Sequence, residues 1–196
     1  MAQEVGAAPA AGTRDVRILL LGRTGVGKSS LINGLLRRPV APVGDWTPAT
    51  ARVDRYHAWF GGTRYTVFDT PGLCDDLPEA GNDERYLAMI KAAADRVDHA
   101  WFVTRLDFTR LSADERRGIK LVTQAFGRAL WTRAVIVFTF RDAVPRDRVD
   151  EAVATRGDLV RGEVAAHAGP DAARGLRAVA VSANHPVGLK IVRLGG

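Results

Sequence analysis

Gly22-Arg23-Thr24-Gly25-Val26-Gly27-Lys28-Ser29 fills every fixed position of the pattern G-x-x-x-x-G-K-[ST], and its surroundings decide how it reads. Val16 to Leu21, just before it, is an unbroken apolar run of strand length. Just after it, Leu31, Ile32, Leu35 and Leu36 recur on one helical face, ahead of Arg37, Arg38 and the stop at Pro39. Strand, glycine-rich loop and helix are the context such a loop needs. Glycines let the backbone wrap phosphate groups with N–H groups pointing inward, and a helix beginning near Gly27 adds its positive end. Lys28 can bridge the β- and γ-phosphates of a nucleoside triphosphate, and the Ser29 hydroxyl can ligate magnesium. The expected phosphate contacts are Arg23, Thr24, Gly25, Val26, Gly27, Lys28, Ser29 and Ser30.

Further on, Asp69-Thr70-Pro71-Gly72 follows an apolar run ending at Phe68. Alone this is a turn signal. After a phosphate loop, Asp69 is expected to hold the magnesium through water and the Gly72 N–H to sense the γ-phosphate. Between the two motifs lies Trp46-Thr47-Pro48-Ala49-Thr50. Thr50, nineteen residues before Asp69, is the expected threonine that closes on the metal, with Thr47 as its rival.

The rest of the chain alternates strand-like and helical patterns. Ala51 to Phe60 and Arg64 to Phe68 flank Gly61-Gly62, a hairpin signal. Tyr86, Met89, Ile90 and Ala93 have helical spacing, and Ala100 to Val103 reads as a buried strand. Ser112 and Glu115 have the spacing of a capping box ahead of the stripe Ile119, Val122, Phe126. Ala134 to Phe140 is the expected central strand, Arg148 to His167 a charged helix weakened by Gly157 and Gly162, and Val179 to Val181 the last short strand. Such alternation predicts an α/β fold: a mostly parallel central sheet covered by helices on both faces, in three layers, with ligands at the carboxyl ends of the strands.

Those strand ends carry the expected base site. Asp142, in Thr139-Phe140-Arg141-Asp142, can accept both N–H groups of guanine at N1 and N2, which adenine does not offer. Against the N-K-x-D pattern, Thr139 stands for the asparagine and Phe140 for the lysine, whose stem it can replace by stacking. Ser182-Ala183-Asn184 is similar to the S-A-K loop that reads the guanine O6.

The 196 residues fit one domain, and 46% hydrophobic with 26% charged residues are soluble proportions. The single cysteine, Cys74, excludes an internal disulfide framework, and no apolar run is long enough to span a bilayer. Residues 1–15 read as a flexible Ala/Gly/Pro-rich leader without a signal-peptide core. The net charge of +6 comes with scattered arginines, among them Arg116, Arg117, Arg146, Arg148, Arg156 and Arg161. They read as solvated helix faces, with a polyanion site as the alternative.

The loop R-T-G-V-G-K-S-S-L-I-N, the segment D-T-P-G-L, Arg105-Leu106-Asp107-Phe108-Thr109-Arg110 and Ala125 to Trp131 together resemble the AIG1/Toc34-like (paraseptin) P-loop GTPases of the translation-factor class. The resemblance covers roughly residues 16 to 184. It implies a Rossmann-like G domain over residues 16–196, GTP and GDP as ligands with Mg2+, and a homodimer across the nucleotide faces. It further implies a membrane-associated partner and, as the alternative to the cytoplasmic location expected of the chain, association with a membrane surface. The second arginine of R-L-D-x-x-R reaches the partner's nucleotide in the import receptors of this group, which implies a trans catalytic contact for Arg110. The competing reading pairs Arg110 with Asp107 or Asp114. Where those receptors carry T-H-x-x, this chain has T-F-R-D, closer at Asp142 to generic GTPases.

Many GTPases orient the attacking water with a glutamine after D-x-x-G; here Leu73 holds that place, followed by Cys74 and Asp75. Slow turnover is therefore expected, with Lys28, Thr50 and Arg110 as the catalytic candidates. An RNA-associated assembly GTPase and a structural assembly module with incidental hydrolysis are the other classes, though RNA binding calls for an appended domain. Twelve residues follow Asn184, so the domain is expected to stop before its last helix.

Overall fold

The apolar runs become strands of one sheet. A computed structural model of the protein describes residues 3–5, 14–41, 53–72, 82–93, 96–182 and 190–192. The strands are Gln3–Val5 (β1), Asp15–Leu21 (β2), Asp54–Phe60 (β3), Thr63–Asp69 (β4), His99–Arg105 (β5), Ala134–Thr139 (β6), Arg177–Ser182 (β7) and Lys190–Val192 (β8). They lie in the order β1-β3-β4-β2-β5-β6-β7-β8, and only β3/β4 and β7/β8 are antiparallel pairs among the described strands. The helices are Lys28–Leu36 (α1), Asn82–Ala93 (α2), Ala113–Phe126 (α3), Arg128–Trp131 (α4), Val149–Ala168 (α5) and Pro170–Arg174 (α6).

Alternation along β2 divides the core. Leu19 and Leu21 face a cluster with Ile119 and Val122 of α3, Trp131 of α4, and Val153 and Val160 of α5. Ile18 and Leu20 face the other way, against Leu31, Ile32 and Leu36 of α1. A strand with both faces buried needs an unbroken apolar run, and Val16–Leu21 supplies one. Each leucine so buried contributes about 1.5–3 kcal/mol. The result is the expected three-layer α/β fold, and it gathers the carboxyl ends of β2, β4, β5, β6 and β7 along one rim.

Several boundaries differ from expectation for local reasons. Phe140 leaves β6: its φ is 54°, left-handed, and a 3-10 turn at Arg141–Ala143 follows. Val179–Val181 lies inside the longer β7, and β8 pairs antiparallel beyond it, three residues being too few to show a period. Gln3–Val5, within the stretch read as a leader, pairs in parallel with Tyr56–Ala58 at the sheet edge. Gly157 and Gly162 leave α5 unbroken over twenty residues. At Gly157 the missing side chain leaves room for Arg161, whose Nη1 would stand 3.0 Å from a Cβ there. Arg156 is not a solvated helix-face residue: only 2% of it is exposed.

Candidate nucleotide and magnesium site

The turn from β2 into α1 forms the phosphate loop. Gly27 caps α1 with φ 88°, a left-handed conformation that glycine adopts without strain, and its carbonyl accepts the Leu31 N–H at 2.9 Å. Lys28 is buried, and its Nζ donates to the carbonyls of Gly22 at 3.0 Å and Arg23 at 2.8 Å. The ammonium is thereby held within the loop that precedes it. The Arg23 guanidinium turns to the first turn of α3, 2.9 Å from Asp114 and 3.5 Å from the Ser112 hydroxyl.

The end of β4 meets this loop. The Ser29 hydroxyl donates to Asp69 Oδ2 at 3.0 Å, joining residues forty apart, and Asp69 is wholly buried. Thr70 fixes the turn after Asp69 by donating to the Leu20 carbonyl at 2.7 Å. At Gly72, a Cβ would stand 1.9 Å from Thr24 Oγ1 and 2.4 Å from Thr24 N. Only glycine lets this segment lie against the phosphate loop. A hydroxyl beside a buried carboxylate is an all-oxygen donor set, which suits a hard cation such as magnesium, completing its shell with water and phosphate oxygens. The donor chemistry fits the expected metal.

On the base side, the Thr139 hydroxyl, with its one proton, donates to the nearer of two carbonyls, Val26 at 2.6 Å, while that of Thr104 lies 3.1 Å away. The residue that replaces asparagine therefore ties β6 to the phosphate loop. The Phe140 ring lies over the same loop, with Cε2 3.6 Å from where a Gly27 Cβ would be, and the Arg105 guanidinium sits 3.7 Å from its centroid. Asp142, exposed, accepts a hydrogen bond from the Ser182 hydroxyl, so the ends of β6 and β7 are joined. Ser30 is half-buried in the first turn of α1. Thr47, Thr50, Leu73, Cys74, Asp75, Ala183 and Asn184 lie outside the described residues.

The segment between β5 and α3 carries Arg110. Arg105 grips Asp107 through two hydrogen bonds, 3.0 and 2.7 Å, and these hold the Asp107 carboxyl below the usual range. Asp114 belongs to Arg23. Both carboxylates suggested for Arg110 are therefore engaged by other arginines, and among the described residues Arg110, which is exposed, has no carboxylate partner. The ion-pair reading of Arg110 is not what the structure shows. Beneath the segment, buried Arg156 bonds the Arg110 carbonyl, Thr104 and Glu115. The spacing from Ser112 predicts a capping role for Glu115, which it has, but nothing in the sequence signals the ion pair, since charged residues are rarely buried.

The model of the AIG1 family matches residues 16–163, more than half of the chain. "Translocase of chloroplast 34 homolog, chloroplastic" of Chlamydomonas reinhardtii is 34% identical over 171 residues, 79% of this chain and 43% of that protein. "Translocase of chloroplast 108, chloroplastic" of Physcomitrium patens is 29% identical over 178 residues, 86% of this chain but 18% of its own length. The chain thus spans less than half of these relatives. Among solved structures, Toc33 from Arabidopsis thaliana in complex with Mg2+ and GMPPNP has a TM-score of 0.74 at 25% identity, covering 88% of this chain and 72% of that one. A dimerization-deficient arginine-to-alanine mutant of the same protein is equally similar, with TM-score 0.74 and 25% identity over 87% and 72% of the two chains.

Proposed function

Since the chain belongs to the AIG1 family, we propose that it binds GTP and GDP with magnesium and hydrolyses GTP slowly, accelerated by a second copy of itself. The observation that carries this reading is the 3.0 Å bond between Ser29 and Asp69, with Gly72 against Thr24. It unites the phosphate loop and the D-T-P-G segment where a magnesium ion would join them.

Each residue then has a task. The N–H groups from Thr24 to Ser30 and the Lys28 ammonium bind the phosphates. Ser29 and Asp69 would hold the metal, which when bound would neutralise charge on the phosphate oxygens. Asp142, kept in place by Ser182, accepts the guanine N–H groups, and Phe140 offers its ring to the base. Ala183 and Asn184 would read the guanine O6, and Thr50 would be a further residue to hold the metal. Leu73 has no group to orient water, so the missing help comes from Arg110 of a second copy, in keeping with an arginine that has no carboxylate partner among the described residues. The Toc33 complex with Mg2+ and GMPPNP supports the ligand, and its dimerization-deficient arginine mutant supports the dimer.

The relatives' names as chloroplast translocases support a membrane-associated partner, the domain itself working at the cytoplasmic surface. No helix among the described residues is long and apolar enough to cross a membrane.

Single-turnover hydrolysis of GTP, with and without magnesium and over rising protein concentration, tests the proposal. The expected rate is slow, magnesium-dependent and faster as concentration rises. Turnover that is fast and indifferent to dilution would sink both the slow-switch and the dimer readings.

A further inference from the structure

Arg156 has no part in the proposed function, yet its guanidinium serves the segment between β5 and α3. It is 2% exposed. Its Nη1 donates to the Arg110 carbonyl at 2.6 Å, and its Nη2 donates to the Thr104 hydroxyl at 3.1 Å and to Glu115 Oε1 at 2.8 Å. Glu115 uses its other oxygen to accept the Ser112 N–H at 2.8 Å, while the Ser112 hydroxyl accepts the Glu115 N–H at 3.1 Å. One buried cation therefore ties down Thr104 where the segment begins, Ser112 where it ends, and the backbone of Arg110 itself.

Stability alone does not explain this arrangement. A buried ion pair is often no better than apolar side chains of the same volume, because the desolvation of two charges offsets their attraction. What apolar side chains cannot do is hold a carbonyl, a hydroxyl and a carboxylate in fixed relation. Apolar packing does not fill the space under the segment either. A cavity of about 310 Å3 opens between it and α5, lined by Leu106, Phe108, Thr109, Val144, Pro145 and Thr155 among others. The segment has room to shift there, and the bond from Arg156 opposes that shift at residue 110.

We propose that Arg156 is the positioning residue for Arg110, fixing from inside the core the direction in which the exposed Arg110 guanidinium meets the nucleotide of a second copy. This rests on the trans contact of Arg110 proposed above. Arg156 touches no reacting atom and acts only through the backbone it holds.

The test compares wild type, Arg110→Ala, Arg156→Lys and the double variant in single-turnover GTP hydrolysis over rising protein concentration, with GDP affinity measured alongside. Lysine keeps a charge near Glu115, but its one nitrogen cannot serve both ends of the guanidinium's bonding pattern. Arg156→Lys is expected to lower the concentration-dependent rate roughly 10-fold or more, as small misplacements of a reacting group do. GDP affinity should be unchanged, and the double variant no slower than Arg110→Ala alone. A wild-type rate in Arg156→Lys, a matching loss of GDP affinity, or a double variant slower than Arg110→Ala by the whole Arg156→Lys factor would overturn the proposal. A wild-type rate in Arg110→Ala would instead overturn the trans contact on which it rests. Should Arg156→Lys not fold, Arg156→Met with Glu115→Gln removes both buried charges together and carries the same comparison.

Discussion

The Thr139 hydroxyl, buried at the end of β6, donates to the Val26 carbonyl inside the phosphate loop at 2.6 Å. The Thr104 carbonyl, 3.1 Å from the same oxygen, brings β5 against this junction. Two halves of the proposed nucleotide site, one for phosphate and one for base, are thus held in register by one side chain. Thr139→Val keeps the shape and removes the hydroxyl, leaving the Val26 carbonyl without this donor. Urea unfolding is expected to show a loss of about 1–3 kcal/mol. A fluorescent GDP analogue should bind more weakly, and unchanged affinity would show that the junction does not shape the site.

Asp142 should govern which base is accepted. The Ser182 hydroxyl donates to its carboxylate, which in the proposed function accepts the two N–H groups of guanine. In Asp142→Asn one acceptor becomes a donor facing a donor. Competition titrations should show GTP weakened by roughly 100-fold or more relative to ATP, a site built for hydrogen bonds being intolerant of mismatch. Selectivity that survives the substitution would put the base elsewhere.

Much of this site is legible in the sequence because its chemistry is local. The fixed glycines, Lys28 and Ser29 are contiguous, and β2 and α1 on either side have periods long enough to recognise. The capping box at Ser112 and Glu115 is likewise contained in four residues, and it is present. What escapes is long-range. Arg156 lies on a helix with charged neighbours, so its one-residue pattern is that of a solvated face, and only the fold brings it to Glu115, forty-one positions away. Thr139 looks like a defective asparagine until the fold shows which carbonyls lie within its reach. The end of β6 misleads for a related reason: Phe140 continues an apolar run, but its ring is needed over Gly27 and Arg105, and its backbone turns left-handed to put it there.

Gly72 should be intolerant of any side chain. A methyl group there would stand 1.9 Å from Thr24 Oγ1 and 2.4 Å from its backbone nitrogen, so the loop itself must move. Gly72→Ala is expected to cost about 1–3 kcal/mol of stability through overpacking. Because the displaced atoms belong to the phosphate loop, GTP hydrolysis should fall further than the thermal midpoint suggests. A variant that melts early but hydrolyses GTP at the wild-type rate would separate Gly72 from the phosphate site.

Acid should unmask the charge on Glu115. Burial alone would push its carboxyl up, but the Ser112 N–H, the Thr104 hydroxyl and Arg156 outweigh burial, and it titrates below its ordinary value of 4.5. A carboxyl held lower in the folded chain than in the unfolded one stabilises the fold above the unfolded value. That contribution fades as pH falls through the folded one. Asp15 and Asp98, where bonds from arginines outweigh burial, and Asp107, held by Arg105, slope the same way, so the wild-type curve alone does not isolate Glu115. The difference from Glu115→Gln does. At pH 7 the variant leaves Arg156 buried without its carboxylate and should be less stable by about 3–5 kcal/mol. Below pH 4.5 the unfolded chain's carboxyl takes up its proton first, and the gap should narrow until the folded carboxyl, held lower, is protonated too. Denaturant unfolding from pH 7 to pH 3 measures that gap, and a gap constant with pH would mean that the fold leaves the Glu115 carboxyl at its unfolded value.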